Sequence, residues 1–233
     1  MNKTPSKSVE DRLMHSLIPF LLFSLVAAPV LAKTPRLSSA PGGSKIPTVL
    51  VLGDSLSAGY GLKRADAYPA LLSEKAAANG QRLHIINAGI SGDTTAGGLR
   101  RLGPLLAQRV DVLIIELGIN DAFRGLPVAQ IETNLQKIID QARGRHPEVR
   151  VVLAGMALPR SAADDYFSAF GAMYAELAQR NQAELVPFLL EGVAGNPALN
   201  QRDLIHPNAD GQKILATNVW PVLESALRKT KRS

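Results

Sequence analysis

Thr48-Val49-Leu50-Val51-Leu52-Gly53-Asp54-Ser55-Leu56-Ser57 decides the fold. An apolar run, Thr48 to Leu52, breaks sharply into a Gly-Asp-Ser turn. A short run of this kind, stopped by turn residues, predicts a strand buried on both faces. The pattern recurs at Leu83–Ile86, Val110–Leu117 and Val149–Ala154, and more weakly at Glu184–Val186. Helical stretches fall between them, over Ala67–Ala78, Thr95–Ala107, Val128–Gly144 and Phe167–Asn181. The last, Ala209–Leu227, puts Ile214, Leu215, Val219, Leu223 and Leu227 on one stripe. Strands alternating with helices predict an α/β fold, a parallel sheet covered by helices on both sides. Ligands of such sheets bind outside the carboxyl ends of the strands. Chemistry is therefore expected in the loop after each strand.

The composition fits one soluble domain: 233 residues, 46% hydrophobic and 20% charged. It argues against wholesale disorder, collagen and coiled coil. The absence of cysteine excludes disulfides, a thiol nucleophile and zinc-thiolate sites. The first 32 residues stand apart: Lys3, Lys7 and Arg12 precede an apolar run from Leu17 to Leu31 that ends at Ala32. That run is shorter than the roughly 20 residues a spanning helix needs and reads as a cleaved export signal. An uncleaved anchor is the alternative. Residues 33–47 form a Ser/Pro/Gly linker, 48–227 the domain and 228–233 a basic tail. Without the leader the chain carries 23 basic and 18 acidic residues; without linker and tail too, 16 and 18 remain. The basic character lies in the ends, whereas a nucleic-acid binder would place it on a folded face. No nucleic-acid partner is expected.

Ser55 sits at the strand-to-helix turn, where a hydroxyl and backbone N–H groups can point outward. A serine is a weak nucleophile without a base to take its proton. Of the histidines after the leader, His84 falls beside the second strand and reads as a packing residue. His146 comes after a helix, on the amino-end side of the sheet. Only His206, in Asp203-Leu204-Ile205-His206-Pro207, has a carboxylate three residues away to orient it. The second strand ends in Asn87-Ala88-Gly89-Ile90-Ser91-Gly92-Asp93 and the third in Gly118-Ile119-Asn120-Asp121. An Asn amide at such an end can donate to a developing oxyanion. Each piece also has a structural reading, in a turn or a helix cap. Together they place nucleophile, acid, base and oxyanion donors on one edge.

These four blocks resemble the SGNH, or GDSL, hydrolases: Ser55 in Gly-Asp-Ser-Leu, Gly89, Asn120 in Gly-x-Asn-Asp, and His206 in Asp-x-x-His. Within that family the chain is most similar to the bacterial multifunctional thioesterase I, lysophospholipase and arylesterase group. Gly53 to Tyr60, Ile90-Ser91-Gly92-Asp93-Thr94 and Pro187-Phe188-Leu189-Leu190-Glu191 carry that likeness. The resemblance implies a flavodoxin-like three-layer αβα sandwich about a five-stranded parallel sheet. It also implies a small, exported enzyme that needs no metal or cofactor. It assigns catalysis to Ser55, Asp203 and His206, and the oxyanion hole to the Ser55 and Gly89 N–H groups and the Asn120 amide. Two departures stand out. Ile119 replaces a glycine common in the group, constraining the turn that presents Asn120 or narrowing the acyl site. Residues 158–166 replace a loop that usually contains Asn-Tyr-Gly.

The expected reaction is hydrolysis of oxy- and thioesters through a serine acyl-enzyme. The expected substrates are small acyl esters, lipid-derived ones among them. Substrate contacts are expected from Asp54, Ile90, Ile119, Phe123 and Leu158, with Leu126 nearby, and a lid from Ala122 to Gly125. The apolar members suit an acyl groove. Alternatives are a carbohydrate acetylesterase with the same triad, or an exported binding protein without catalysis. No Gly-x-Ser-x-Gly, P-loop or dinucleotide fingerprint is present. The expected location is the periplasm, or outside the cell where there is no outer membrane. The enzyme is expected to be a monomer that does not insert into membranes after signal cleavage.

Overall fold

The computed structural model describes residues 45–158 and 165–230, within one compact unit spanning Ser44–Ser233. The export signal, most of the linker, residues 159–164 of the divergent loop and the last three tail residues lie outside the described residues. Five parallel strands form one sheet in the order β2-β1-β3-β4-β5. They are β1 Thr48–Gly53, β2 His84–Asn87, β3 Val112–Glu116, β4 Arg150–Ala154 and β5 Glu184–Val186. The register pairs Val49 with Ile85 on one side of β1 and with Val112 on the other. The helices are α1 Ser55–Ala58, α2 Tyr68–Ala78, α3 Thr95–Leu105, α4 Ile119–Phe123, α5 Val128–Arg145, α6 Asp165–Arg180 and α7 Ala209–Thr230. Helices α2 and α7 pack together, while α5 packs against both α3 and α6, giving three layers. This is the sandwich the alternation predicts.

The reading of strands buried on both faces holds for β1, β3 and β4, whose residues are buried apart from the opening Thr48 and Arg150. It fails for the edges. His84 opens β2 exposed and the other three residues of β2 are only half-buried, because an edge strand has one neighbour. His84 is therefore not a packing residue. The basic tail begins inside a helix. Helix α7 runs on to Thr230, so the boundary at 227 cuts a helix. Arg228 pairs with Glu224 and Lys229 with Glu184 on this solvated helix end.

Chain order reverses about β1, which has β2 on one side and β3 on the other. Such a switch point splays the adjoining loops apart and opens a crevice at the carboxyl edge. The loops after β1 and β3 carry Ser55 and Asn120.

Candidate active site

Ser55 opens α1 directly after β1. Asp54 caps that helix, its Oδ1 accepting the Leu56 N–H at 3.0 Å. Gly59 ends it in the left-handed conformation, φ 73°, which an L side chain rarely adopts. The result is a single tight turn with Ser55 on its first residue. His206 arrives from the loop before α7, and its Nε2 lies 3.0 Å from Ser55 Oγ. His206 Nδ1 lies 2.7 Å from Asp203 Oδ2. Asp203 Oδ1 accepts the His206 and Ile205 N–H groups, both at 3.0 Å, so the aspartate holds backbone and ring together. The His206 N–H foremost, then its ring, holds the Asp203 carboxyl down at about 2. Tyr60 packs against the imidazole with ring centroids 4.4 Å apart and planes tilted by 37°.

Gly89 comes shortly after β2 and presses on α1. A Cβ there would come 2.4 Å from the Ala58 nitrogen, so glycine is required for the approach. Its N–H donates to Asn87 Oδ1 at 2.9 Å. Asn120 lies on α4, presented by Gly118 at φ 125°. The strained position is thus Gly118, and Ile119 takes ordinary helical geometry; it lines the cleft instead of constraining the turn. The Asn120 amide donates to Asp54 Oδ2 at 2.8 Å and to the Asp93 carbonyl at 2.9 Å. Asp121 is buried and accepts the Thr95 hydroxyl and N–H, fixing α4 to the start of α3. Arg124 donates to the Gly92 carbonyl at 2.9 Å, tying down the end of the segment expected as a lid.

A cleft of about 650 Å³ opens beside Ser55 and His206. Ile119, Phe123 and Leu158 line it, as expected. So do Met156, Phe188, Leu190, Leu204 and Ile205, which the sequence alone did not assign to it. Asp54 and Ile90 do not line it. Asp54 is fully buried beneath the turn, where it holds the Leu56 N–H and the Asn120 amide; Ile90 is half exposed outside the cleft. Leu126 packs against the core. His146 lies at the amino end of the sheet with Nε2 3.0 Å from the Leu106 carbonyl, away from this edge. Glu116 also went unassigned. A lone acid ending the apolar strand Val-Leu-Ile-Ile-Glu was the available signal.

The GDSL-like Lipase/Acylhydrolase family model matches residues 51–214, and the chain belongs to that family. It is a hydrolase of ester bonds. Among its relatives is Esterase TesA of Pseudomonas aeruginosa, 43% identical over 181 residues, 77% of this chain and 89% of that protein. Thioesterase 1/protease 1/lysophospholipase L1 of Escherichia coli K12 is 40% identical over 170 residues, 72% of this chain and 79% of that one. A crystal structure of TesA superposes with a TM-score of 0.73 at 42% identity, covering 77% of this chain and 99% of that one. Among the described residues no helix is long and apolar enough to cross a membrane.

Proposed function

We propose that the protein is an exported serine esterase that cleaves medium- and long-chain acyl oxyesters and thioesters through an acyl-enzyme. The observation that carries this reading is the Ser55–His206–Asp203 relay at the mouth of an apolar cleft. Ser55 Oγ attacks the ester carbonyl while His206 Nε2 takes its proton and then passes it to the leaving group. Asp203 keeps the other ring nitrogen protonated and offsets the imidazolium charge. Water then attacks the acyl-enzyme with His206 again as base, and the acid is released. The Ser55 N–H, Gly89 N–H and Asn120 amide receive the oxyanion. In the resting site the last two hold protein acceptors, so the oxyanion shares or displaces those bonds. The cleft's apolar wall supports an acyl chain over an acetyl group as the bound moiety. Export rests on the leader, and N-terminal sequencing of the secreted or periplasmic protein should begin at Lys33.

The test is hydrolysis of p-nitrophenyl esters from acetate to palmitate, and of an acyl-CoA, by residues 33–233 and by the same chain carrying Ser55→Ala. Activity on longer acyl groups that disappears in the variant is the expected result. A profile confined to acetate would replace the acyl-groove reading with that of an acetylesterase. Equal rates in the two proteins would end the serine mechanism.

A further inference from the structure

Glu116 ends β3 without exposed surface, and acyl transfer by the triad gives it no task. Its Oε2 is saturated. It accepts the Asp54 N–H at 3.0 Å, the Ser57 N–H at 3.3 Å and the Ser57 hydroxyl at 2.7 Å. The backbone is shaped around this oxygen: a Cβ on Gly53 would come 2.5 Å from it. Oε1 is equally enclosed, yet no donor reaches it. An ionised carboxylate with one bare oxygen in a dry site is costly unless paired.

The neighbour of Glu116 is a second carboxyl. Asp54 is also fully buried; its N–H sits on Glu116 Oε2, and its charge acts on the Glu116 carboxyl at close range. Asp54 is already used as an acceptor on both oxygens, by the Leu56 N–H on Oδ1 and the Asn120 amide on Oδ2. The other groups facing the pair offer little relief. Tyr68 on α2 and Tyr174 on α6 are buried phenols, and Tyr68 Oη lies 2.9 Å from Ser57 Oγ. Arg101 on α3 bonds the Gly53 carbonyl but pairs with Asp93. His206 bonds Asp203, and Asp121 is spent on Thr95. Among the described residues neither Glu116 nor Asp54 has an ion-pair partner. Two neighbouring buried carboxyls without a cation do not both ionise, so one of them keeps its proton. Burial raises both carboxyls; both Asp54 oxygens accept donors while Glu116 Oε1 meets none, so the proton belongs on Glu116.

We propose that Glu116 is a positioning residue: a neutral carboxylic acid that donates its Oε1 proton to the Asp54 carboxylate and so fixes the acceptor holding the Asn120 amide beside Ser55. No proton moves here during turnover. The proposal rests on the acyl-enzyme reading, because Asn120 matters only where an oxyanion forms.

Glu116→Gln tests it directly. The Gln carbonyl replaces Oε2 as acceptor and its amide replaces the Oε1 proton as donor, so turnover should stay close to wild type. Glu116→Leu removes both functions, and kcat should fall about 100-fold at unchanged KM. In the infrared difference spectrum at pH 8, wild type minus Glu116→Gln, a protonated-carboxyl band sensitive to deuterium should appear. Missing that band overturns the proposal. So does a Glu116→Gln enzyme as impaired as Glu116→Leu, which would mean that Glu116 works as an anion. A folded Glu116→Leu enzyme with wild-type kcat overturns the positioning role. If Glu116→Leu does not fold, the Gln variant and the band decide. Ser55→Ala keeps the band whether or not it keeps activity, so failure of the acyl-enzyme reading is seen separately.

Discussion

Gln212 Nε2 donates to the Leu56 carbonyl at 3.2 Å, across 156 residues of sequence. The same buried side chain accepts the Tyr68 N–H on Oε1 at 2.8 Å. One amide on the first turn of α7 therefore locks that helix against α1 and α2. The His206 loop lies immediately before α7, and Ser55 opens α1. The 3.0 Å separation of His206 Nε2 from Ser55 Oγ depends on how these two elements are held.

Gln212→Leu should accordingly lower stability and turnover together. It leaves a buried N–H and a buried carbonyl without their partner, at a cost of about 1–3 kcal/mol for each group left unsatisfied. Urea denaturation measures the first effect and kcat on a p-nitrophenyl ester the second. A variant that keeps both would show that Gln212 does not set the register.

The layers and the reactive edge were legible because uninterrupted Val, Ile and Leu runs mark buried central strands. Topology then puts the loop after each such strand on a single edge of the sheet. Less visible was anything shorter than a helical period. The single turns α1 and α4 carry Ser55 and Asn120, yet neither is long enough to display a stripe. Side-chain direction was also hidden. Asp54 and Ser55 are neighbours, but the turn sends one carboxylate beneath the helix and the other residue's hydroxyl to His206. Leu204 and Ile205 fall at the unspecified positions of Asp-x-x-His, and the fold makes them a wall of the cleft. Met156, Phe188 and Leu190 reach it from the segments after β4 and β5, a convergence set by the strand order.

Asn120→Ala should cost about 10²–10³ in kcat, the usual loss for one oxyanion donor. KM should change little, because the developing charge exists only beyond the ground state. Asp203→Asn should cost more, about 10⁴, by presenting the wrong imidazole tautomer. Steady-state kinetics on folded variants give both values. An Asn120→Ala enzyme with unchanged kcat would remove that residue from the oxyanion site.

Burial of Asp54 carries a pH signature. Its pKa rises from 3.8 to about 6 on folding, mainly through desolvation, so between those values the native state binds more protons than the unfolded chain. The stability it contributes is present below pH 3.8 and is lost as pH rises through about 6. Asp203 has the opposite sign: its stabilisation is lost as pH falls towards about 2. Unfolding free energy should therefore include a decline between about pH 4 and pH 6 that is smaller in Asp54→Asn. Denaturant titrations at several pH values measure it. A decline of equal size in both proteins would assign it to other groups.

The ion pairs at the end of α7 should matter little. Arg228–Glu224 and Lys229–Glu184 lie at the surface, with the basic side chains more than half exposed. Exposed pairs contribute about 0–1 kcal/mol, less as salt rises. Arg228→Ala and Lys229→Ala should shift the urea midpoint only slightly and leave kcat unchanged. A loss of several kcal/mol would mean that the last turn of α7 anchors the fold.

The cleft makes a separate claim about acyl length. Ala194 lines it and is small, so Ala194→Trp adds a ring where the chain would lie. A side chain that fills the groove penalises only substrates long enough to reach it. Each excluded methylene is worth about 1–3 kcal/mol of discrimination in an apolar pocket. The palmitate-to-acetate ratio of kcat/KM should therefore fall steeply, with acetate hydrolysis nearly unchanged because Ser55, His206 and Asn120 keep their positions. Equal losses on both esters would mean the ring disturbs the catalytic loop. An unchanged ratio would mean the acyl chain leaves the site by another route, with the apolar wall formed by Phe188 and Leu190 serving the leaving group instead.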